Sequence, residues 1–314
     1  IWGALGGSIY ILLFNLFVYY LLKNSNYQVI NKRLIIQTSL ILMPTLLSMT
    51  YYAFPSKAGE KFQVGFIMPH FNQYQEKFAL DPMLLVNHYN ELYAAHGSPD
   101  IDFIILPETA VLNSGWIENL HNPSIPNPLD SLLPGKELIL GSYFFSVYEP
   151  KDDNIPYYVR YDSVSKVHFL THNCAIYRSK NNHYQIRSKE KFIPFHDAMP
   201  YPDLLMFTER WINRLGVRTY IADYPKVPSE VITTEKGLKM YNLLCFEGYF
   251  SNFMVKESDL DFITVIANEN WNDKDKGKMQ FFRYMVPRAI EAGKPLLKIS
   301  NSGYSGYISE KGEL

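Results

Sequence analysis

Two long segments without a charged residue, near the beginning of the sequence, constrain the fold most strongly. The first runs from Ile1 to Leu22 and the second from Leu34 to Ser56. About 20 apolar residues in a helix cross the hydrocarbon core of a bilayer, so each segment is long enough to span a membrane. A signal peptide is a poor alternative, because no basic segment precedes the first run and no small-residue cleavage site follows it. Two buried core helices are the other interpretation.

The segment between these runs predicts an orientation. It contains Lys23, Lys32 and Arg33 but no acidic residue, and short basic loops stay on the cytoplasmic side. We therefore expect residues 1–56 to form two transmembrane helices joined by a cytoplasmic loop, as a fragment of a larger membrane domain. Residues 57–314 are expected to form a catalytic domain on the opposite side of the membrane, truncated at its C-terminal end.

Beyond about residue 60 the pattern of apolar residues changes. Helical periodicity is found at residues 82–95 and 279–292. Short apolar runs typical of strands lie between and around these helices, in "KFQVGFIMP", "DFIILPET", "KELILGSYFF", "LKMYNLLCF", "DFITVIANENW" and "KPLLKISNSG". Alternating strands and helices predict an α/β domain with a largely buried sheet.

Composition argues against several classes of function. The net charge of -1 and the lack of a basic block give no reason to expect nucleic acid as a partner. Cys174 and Cys245 are the only cysteines, too few for a disulfide framework or a four-thiolate zinc site, and both are expected to be free. His168 and His172 lack a third ligand nearby, and no phosphate-binding or dinucleotide motif is present. No metal and no cofactor is predicted.

Three polar residues at the ends of apolar runs suggest a shared chemistry. They are Glu108 in "IILPETAV", Lys189 in "RSKEKFIPF" and Cys245 in "YNLLCFEGYF". Each has an ordinary explanation alone: a solvated loop glutamate, a surface lysine and a small buried thiol. Together they provide what a nucleophile needs, because a thiol requires a base and a fixed ammonium stabilises both a thiolate and an oxyanion.

The order Glu, Lys, Cys in these settings resembles the apolipoprotein N-acyltransferases, a family of the nitrilase (carbon–nitrogen hydrolase) superfamily. The segments "WGALGGSIYILLFN", "KFIPFHDAMPY" and "RAIEAGKPLLKISNSGYSG" extend the resemblance over nearly the whole chain. It implies a nitrilase-like αββα sandwich attached to transmembrane helices. It also implies that Glu108 is the general base, Lys189 the catalytic lysine and Cys245 the acyl-accepting nucleophile, with no cofactor.

The resemblance also assigns supporting positions. It places Asn173, Asp197 and Glu247 beside the triad. Two departures concern this neighbourhood: the family commonly has tyrosine where this chain has Phe246, and glutamate where it has Asp197. Since aspartate is one methylene shorter and reaches less far, the resemblance supports a role for Asp197 least directly.

The implied reaction is a two-step acyl transfer. Cys245 would take an acyl chain from a phospholipid and pass it to the N-terminal amine of a diacylglyceryl-cysteine apolipoprotein. The implied partners are the phospholipid donor, the diacylated apolipoprotein and the membrane, without nucleic acid. The implied location is the bacterial inner membrane, with the catalytic domain on the periplasmic side. Two alternatives remain: a membrane-tethered amidase, in which water resolves the acyl-enzyme, and a catalytically silent scaffold that binds lipoproteins.

One further segment, "PDLLMFTERWINRLGV", has apolar residues at helical spacing. They are Leu204, Phe207, Trp211 and Leu215. A helix packed on the domain core would have this pattern. An interfacial lid that dips into lipid headgroups and admits acyl chains would have it too.

Overall fold

A computed structural model divides the chain into two compact units, residues 1–61 and 62–314. It describes residues 3–23, 32–54, 61–69, 80–112, 115–122, 124–150, 155–156, 158–208, 211, 231–254, 259–270 and 274–314. The loop predicted to be cytoplasmic therefore lies mostly outside the described residues.

The first unit contains two helices, α1 (Gly3–Lys23) and α2 (Lys32–Ala53). Tyr10 joins them, because its hydroxyl donates to the Ile41 carbonyl over 2.6 Å and lies 3.0 Å from the Thr45 hydroxyl. Large apolar side chains are exposed along both helices, among them Leu12, Leu16, Leu46, Met49 and Tyr52. Within the described residues, no helix combines the length and apolarity needed to cross a membrane. The two transmembrane helices stay a prediction from the sequence.

The second unit contains two β-sheets. The strands of the first sheet are β1 (Val64–Phe66), β2 (Phe103–Ile105), β3 (Glu137–Val147), β4 (Arg160–Asp162), β5 (Val167–Arg178) and β6 (Tyr184–Ser188). Their order is β1-β2-β3-β5-β4, and β6 also pairs with β5. The first three strands run parallel, whereas β3 and β5 form a long antiparallel pair.

The second sheet has five strands, in the order β11-β10-β9-β8-β7. They are β7 (Ile232–Thr233), β8 (Lys239–Leu244), β9 (Phe262–Ala267), β10 (Leu296–Ser300) and β11 (Gly306–Ile308). Strands β8, β9 and β10 are parallel. The described helices of this unit include α3 (Pro82–His96), the short α4 (Pro202–Leu205) and α5 (Asp275–Ala292).

The central strands β2, β9 and β10 are buried on both faces. Along β8, Met240 and Leu244 point into the core between the two sheets, whereas Tyr241 and Leu243 pack with α5. In the same core, Phe103 of the first sheet stacks on Phe262 of the second, with ring centroids 5.5 Å apart. Strands buried on both faces read as continuous apolar runs, which explains why the sequence marked them clearly.

The outer faces of the two sheets are covered by helices. Val86 and Tyr89 of α3 pack on the first sheet, while Phe281 and Met285 of α5 pack on the second. The layers therefore follow the order helix, sheet, sheet, helix. This confirms the predicted αββα sandwich and the two predicted helices at 82–95 and 279–292.

Candidate active site

Glu108 lies just beyond the end of β2 and is almost fully buried. Its backbone passes very close to Gly141 of β3: a Cβ atom at position 141 would lie 2.7 Å from the Glu108 Cα atom. No ordinary side chain fits there, so a glycine is required for this approach. Glu108 Oε1 accepts hydrogen bonds from Lys189 Nζ at 3.1 Å and Asn173 Nδ2 at 2.9 Å. Its Oε2 accepts one from the Asn268 amide at 3.2 Å.

Lys189 follows β6 and is also buried, whereas Lys191 is exposed. The Lys189 ammonium lies between two carboxylates, 3.1 Å from Glu108 Oε1 and 2.7 Å from Asp197 Oδ2. Burial disfavours its charged form, but the charges of Asp197 and Glu108 outweigh burial and raise the pKa of Lys189 well above its ordinary value. The lysine is therefore a permanent cation in this site.

Asp197 reaches the lysine despite being one methylene shorter than glutamate. Its Oδ2 also accepts the Ile193 amide at 2.9 Å, and its Oδ1 lies 3.1 Å from His196 Nδ1. Burial alone would raise the pKa of Asp197, but Lys189, with hydrogen bonds from His196 and Ile193, holds it well below its ordinary range. The structure thus places Asp197 on the ammonium itself, together with Glu108.

Cys245 begins a short 3₁₀ helix directly after β8 and is 4 % exposed. Its φ of 46° lies in the left-handed region, where a non-glycine residue is strained by about 1–3 kcal/mol. Such a sharp strand-to-helix turn is typical of nucleophiles in hydrolase folds, because it presents the side chain at a sheet edge. Within the described residues, Sγ makes no hydrogen bond, and Glu108 and Lys189 act on it through their charges.

The resting thiol of Cys245 is neutral. Burial and the charge of Glu108 raise its pKa far above the ordinary value, and the opposing charge of Lys189 does not compensate. Lys189 acts in the expected direction and favours the thiolate, but burial and Glu108 outweigh it in the resting site. Deprotonation of the thiol must accompany attack, and it requires a base such as Glu108.

Glu247, two residues after the cysteine, is fully buried and holds the site together. Its carboxylate binds the Arg187 guanidinium in a bidentate pair, at 2.6 and 3.1 Å. It also accepts the backbone amides of Leu244 at 2.9 Å and Glu190 at 2.6 Å, which flank Cys245 and Lys189. Glu247 therefore connects the cysteine strand to the lysine segment. Burial disfavours the charged form of Arg187, but Glu247 reverses this and raises its pKa.

Asn173 supports both triad residues of the first sheet. Its side chain donates to Glu108, and its carbonyl accepts the Lys189 amide at 2.8 Å. The structure therefore brings Glu108, Lys189, Asn173 and Asp197 into one hydrogen-bonded cluster. The charges of Glu108, Lys189 and Asp197 in this cluster act on the Cys245 thiol.

Several residues of the site were not predicted. Arg187 pairs with Glu247. Glu269, just after β9, and Lys298, within β10, form a further buried ion pair of 2.6 Å. A signal existed for Glu269 and Lys298, since both lie in strand-like apolar runs where a charged side chain must be paired. Gly141, inside the run "KELILGSYFF", carried a similar signal, because glycine in a strand often marks a close backbone approach.

The apolar segment after the lysine does not pack on the core. It forms α4 and a 3₁₀ turn at Met206–Thr208, and Leu204, Phe207 and Trp211 are 69 %, 78 % and 75 % exposed. Leu215 lies outside the described residues. Of the two interpretations drawn from the sequence, a helix packed on the core is therefore wrong for the described residues.

Taken together, the arrangement suits acyl transfer through a thiol. A neutral cysteine at a strained turn adjoins a buried carboxylate and a permanent ammonium. The carboxylate can take the thiol proton, and the ammonium can stabilise the oxyanion formed when a carbonyl is attacked. Neither Cys245 nor Cys174, which lies on β5 inside the core of the first sheet, forms a disulfide.

Comparison with known proteins identifies apolipoprotein N-acyltransferases among the relatives of this chain. The apolipoprotein N-acyltransferase of Allorhizobium ampelinum is 25% identical over 271 residues, which cover 83% of this chain and 46% of the relative. That of Aquifex aeolicus is 30% identical over 126 residues, covering 40% and 27%. No protein-family model matches the chain. Saccharomyces cerevisiae Nit3, a member of the nitrilase superfamily, aligns with a TM-score of 0.49 at 14% identity, over 81% of this chain and 86% of Nit3. The chain is similar in sequence to apolipoprotein N-acyltransferases and spans less than half the length of these two relatives.

Proposed function

We propose that this chain carries the catalytic domain of an apolipoprotein N-acyltransferase, with Glu108, Lys189 and Cys245 as its triad. One observation carries the proposal: a buried ammonium, held by two carboxylates, adjoins a cysteine at a strained strand end. The sequence similarity to apolipoprotein N-acyltransferases supports it independently.

In the first step, the Cys245 sulfur attacks the ester carbonyl of a phospholipid acyl chain. Glu108 takes the thiol proton, and the Lys189 ammonium stabilises the negative charge that develops on the carbonyl oxygen. The ester C–O bond then breaks, and Glu108 returns the proton to the departing lysophospholipid oxygen. The acyl group remains on Cys245 as a thioester.

In the second step, the neutral α-amine of a diacylglyceryl-cysteine peptide attacks the thioester carbonyl. Glu108 takes a proton from the attacking nitrogen while Lys189 again faces the oxyanion. The C–S bond breaks, the new amide leaves, and the cysteine sulfur regains a proton from Glu108. The enzyme returns to its starting state, so the cycle is ping-pong.

The proposal includes a membrane location, in the bacterial inner membrane with the catalytic domain on the periplasmic side. Both substrates carry long acyl chains that favour the bilayer. The support is the pair of uncharged segments in the sequence and the apolar side chains exposed on the described parts of α1 and α2. Flotation of the full-length protein with liposomes tests it, since a protein that stays at the bottom of the gradient would contradict membrane attachment.

The exposed side chains of Leu204, Phe207 and Trp211 are proposed as the part of the domain that meets lipid. Tyr201, Leu204, Phe207 and Trp211 present large apolar side chains to the surface just after the lysine segment. Contiguous exposed apolar residues of this kind mark interaction sites. Phe207→Ser together with Trp211→Ser should raise the phospholipid concentration needed for half-maximal acylation, while leaving the reaction with a soluble thioester donor unchanged.

The experiment that tests the function directly uses the full-length protein in detergent. It is incubated with a phospholipid carrying a labelled acyl chain and a diacylglyceryl-cysteine peptide with a free N-terminus. We expect labelled N-acyl peptide with the parent and none with Cys245→Ala. Release of labelled fatty acid without labelled peptide would support the amidase, and no turnover with an unreactive Cys245 would support the scaffold.

A further inference from the structure

The buried ion pair between Lys298 and Glu269 has no part in the proposed mechanism. Lys298, on β10, is fully buried and donates from Nζ to Glu269 Oε2 at 2.6 Å and to the Tyr304 carbonyl at 2.9 Å. Glu269 is 2 % exposed, and its Oε1 makes no hydrogen bond with any residue in the described part of the chain. A carboxylate oxygen accepts hydrogen bonds only, so Oε1 has accepting capacity left for the donor of a ligand.

Glu269 lies at the same sheet edge as the nucleophile. Strands β8 and β9 are parallel neighbours in which Leu244 pairs with Ile266, so Cys245 and the residues after β9 meet at the carboxyl ends. The residue before Glu269 is Asn268, whose amide donates to Glu108 Oε2 at 3.2 Å. The charge of Glu269 also acts on the Cys245 thiol and on Tyr249.

The loop after β10 fits closely against this carboxylate. A Cβ atom at Gly303 would lie 2.0 Å from Glu269 Oε2, so only glycine allows the loop to pass there. The Gly303 amide itself donates to Ser300 Oγ at 3.1 Å. Glu269 Oε2 is therefore enclosed by Lys298 and the loop, which leaves Oε1 as the oxygen able to take a ligand.

The charges around the nucleophile do not cancel. Glu108, Asp197 and Glu269 are three carboxylates, and Lys189 and Lys298 are two ammonium groups; all five act on Cys245. In their ionised forms they leave one net negative charge in a site with little solvent. Burial also lowers the pKa of Lys298, which works in the same direction. A buried excess negative charge attracts a cation.

We infer that Glu269 Oε1 accepts a hydrogen bond from the protonated N-terminal amine of the acceptor peptide and so determines that amines resolve the acyl-enzyme. This rests on the proposed acyltransferase function. The acceptor docks as an ammonium and releases one proton to solvent before attack. The neutral amine then forms the C–N bond, the C–S bond breaks, and Glu108 moves the remaining proton from nitrogen to sulfur as described above. Glu269 neither gains nor loses a proton.

The test separates the two half-reactions in the full-length protein. Acyl-enzyme is formed with a labelled phospholipid, and diacylglyceryl-cysteine peptide is then added at increasing concentration. The rate of acylation is measured separately for each variant. Once acylated, Glu269→Gln should require about tenfold or more peptide than the parent for half-maximal transfer, the range for a lost charge-assisted hydrogen bond. Glu269→Asp, which keeps the charge, should recover part of the peptide affinity.

Two controls make the result specific. Glu137→Gln neutralises another carboxylate that is 2 % exposed, far from the triad in sequence and bonded to Tyr177 at 2.6 Å; it should leave the peptide dependence unchanged. Hydroxylamine, which is uncharged at neutral pH, should cleave the acyl-enzyme of Glu269→Gln as fast as that of the parent.

Three outcomes of this experiment would overturn the inference. A peptide dependence in Glu269→Gln equal to that of the parent, with acyl-enzyme present in both, overturns the role of Glu269 alone. A parallel loss of peptide and hydroxylamine cleavage would mean that the substitution damages the thioester site in general and would also overturn it. A parent that never forms acyl-enzyme contradicts the proposed function and, with it, this inference.

Discussion

Two clusters of buried charged side chains lie side by side in this protein and have different roles. Arg187 and Lys189 are two residues apart in one extended segment, and each is almost completely buried. Arg187 pairs with Glu247, which also accepts backbone amides, whereas Lys189 lies between the side chains of Glu108 and Asp197. The arginine cluster fixes backbone segments, and the lysine cluster sets charge at the nucleophile.

The difference shows how a protein separates position from reactivity. A guanidinium offers a planar fork that matches one carboxylate, so it suits a structural clamp. An ammonium is a compact charge that can face two carboxylates and a developing oxyanion. Substitutions in the arginine cluster should therefore act mainly on stability, and those in the lysine cluster mainly on the reaction.

Lys189→Met should have the largest effect on activity. It removes the cation that faces the oxyanion and leaves Glu108 and Asp197 buried without it. We expect acyl-enzyme formation to fall by about a thousandfold, the upper range for loss of one such group. Single-turnover acylation with labelled phospholipid measures this. A Lys189→Met variant that folds and acylates within tenfold of the parent would remove the lysine from the triad.

Compared with Lys189→Met, Glu247→Gln should act more on stability and less on activity. Breaking a buried ion pair costs about 3–5 kcal/mol of the free energy of unfolding, because Arg187 remains charged and buried. Activity should fall less than in Lys189→Met, by about ten- to a hundredfold, as the cysteine turn loosens. Denaturant unfolding and single-turnover acylation measure the two effects.

The double variant Arg187→Met, Glu247→Gln sharpens this comparison. It should be more stable than Glu247→Gln alone, because no unpaired buried charge remains. A double variant less stable than either single variant would show that Glu247 acts chiefly through its backbone amides rather than through the arginine.

Gly141→Ala should produce a smaller effect confined to the lysine cluster. The new methyl group would meet the backbone at Glu108 and displace its carboxylate. Overpacking of this kind costs about 1–3 kcal/mol, and we expect roughly a tenfold loss of acylation rate. The lysine cluster should be affected while the Glu247 clamp is not. An unchanged acylation rate in a less stable variant would contradict the proposed link between Gly141 and Glu108.

The smallest of these effects should be the contribution of Asp197 to the pH dependence of stability. Its pKa is lowered in the folded state, so its contribution is present above its unfolded pKa and is lost as the pH falls through the folded value. Between about pH 5 and pH 2 the parent should lose more stability than Asp197→Asn, which lacks this proton uptake. Urea midpoints across that range measure the slopes. Equal slopes would mean that Asp197 is not stabilised by Lys189.

The sequence was most informative where local pattern and burial agree. Strands β8 and β9 are buried on both faces, so their apolar runs were recognisable, and the residues at their ends followed. Glu108, Lys189 and Cys245 were found through their motifs. Lys189, the lysine that the resemblance assigned to the triad, is buried, whereas Lys191 two residues later is exposed.

The remaining features depend on contacts between distant segments. Glu247 and Arg187 are 60 residues apart, and nothing in either local sequence names the other. The neutral thiol of Cys245 was not predictable either, because it follows from how deeply the fold buries the sulfur and from the nearby charge of Glu108. The sequence therefore predicted the secondary structure, but not which distant side chains pair.

The measurement that tests the central claim most directly is peptide mapping of the acyl-enzyme by mass spectrometry. The full-length protein is incubated with a labelled phospholipid without an acceptor, alongside Cys245→Ala and Cys174→Ser. The proposed mechanism predicts one acyl group on the Cys245 peptide, released by neutral hydroxylamine, absent in Cys245→Ala and retained in Cys174→Ser. Acyl label on Cys174, or on no cysteine of a protein that still turns over, would contradict the mechanism.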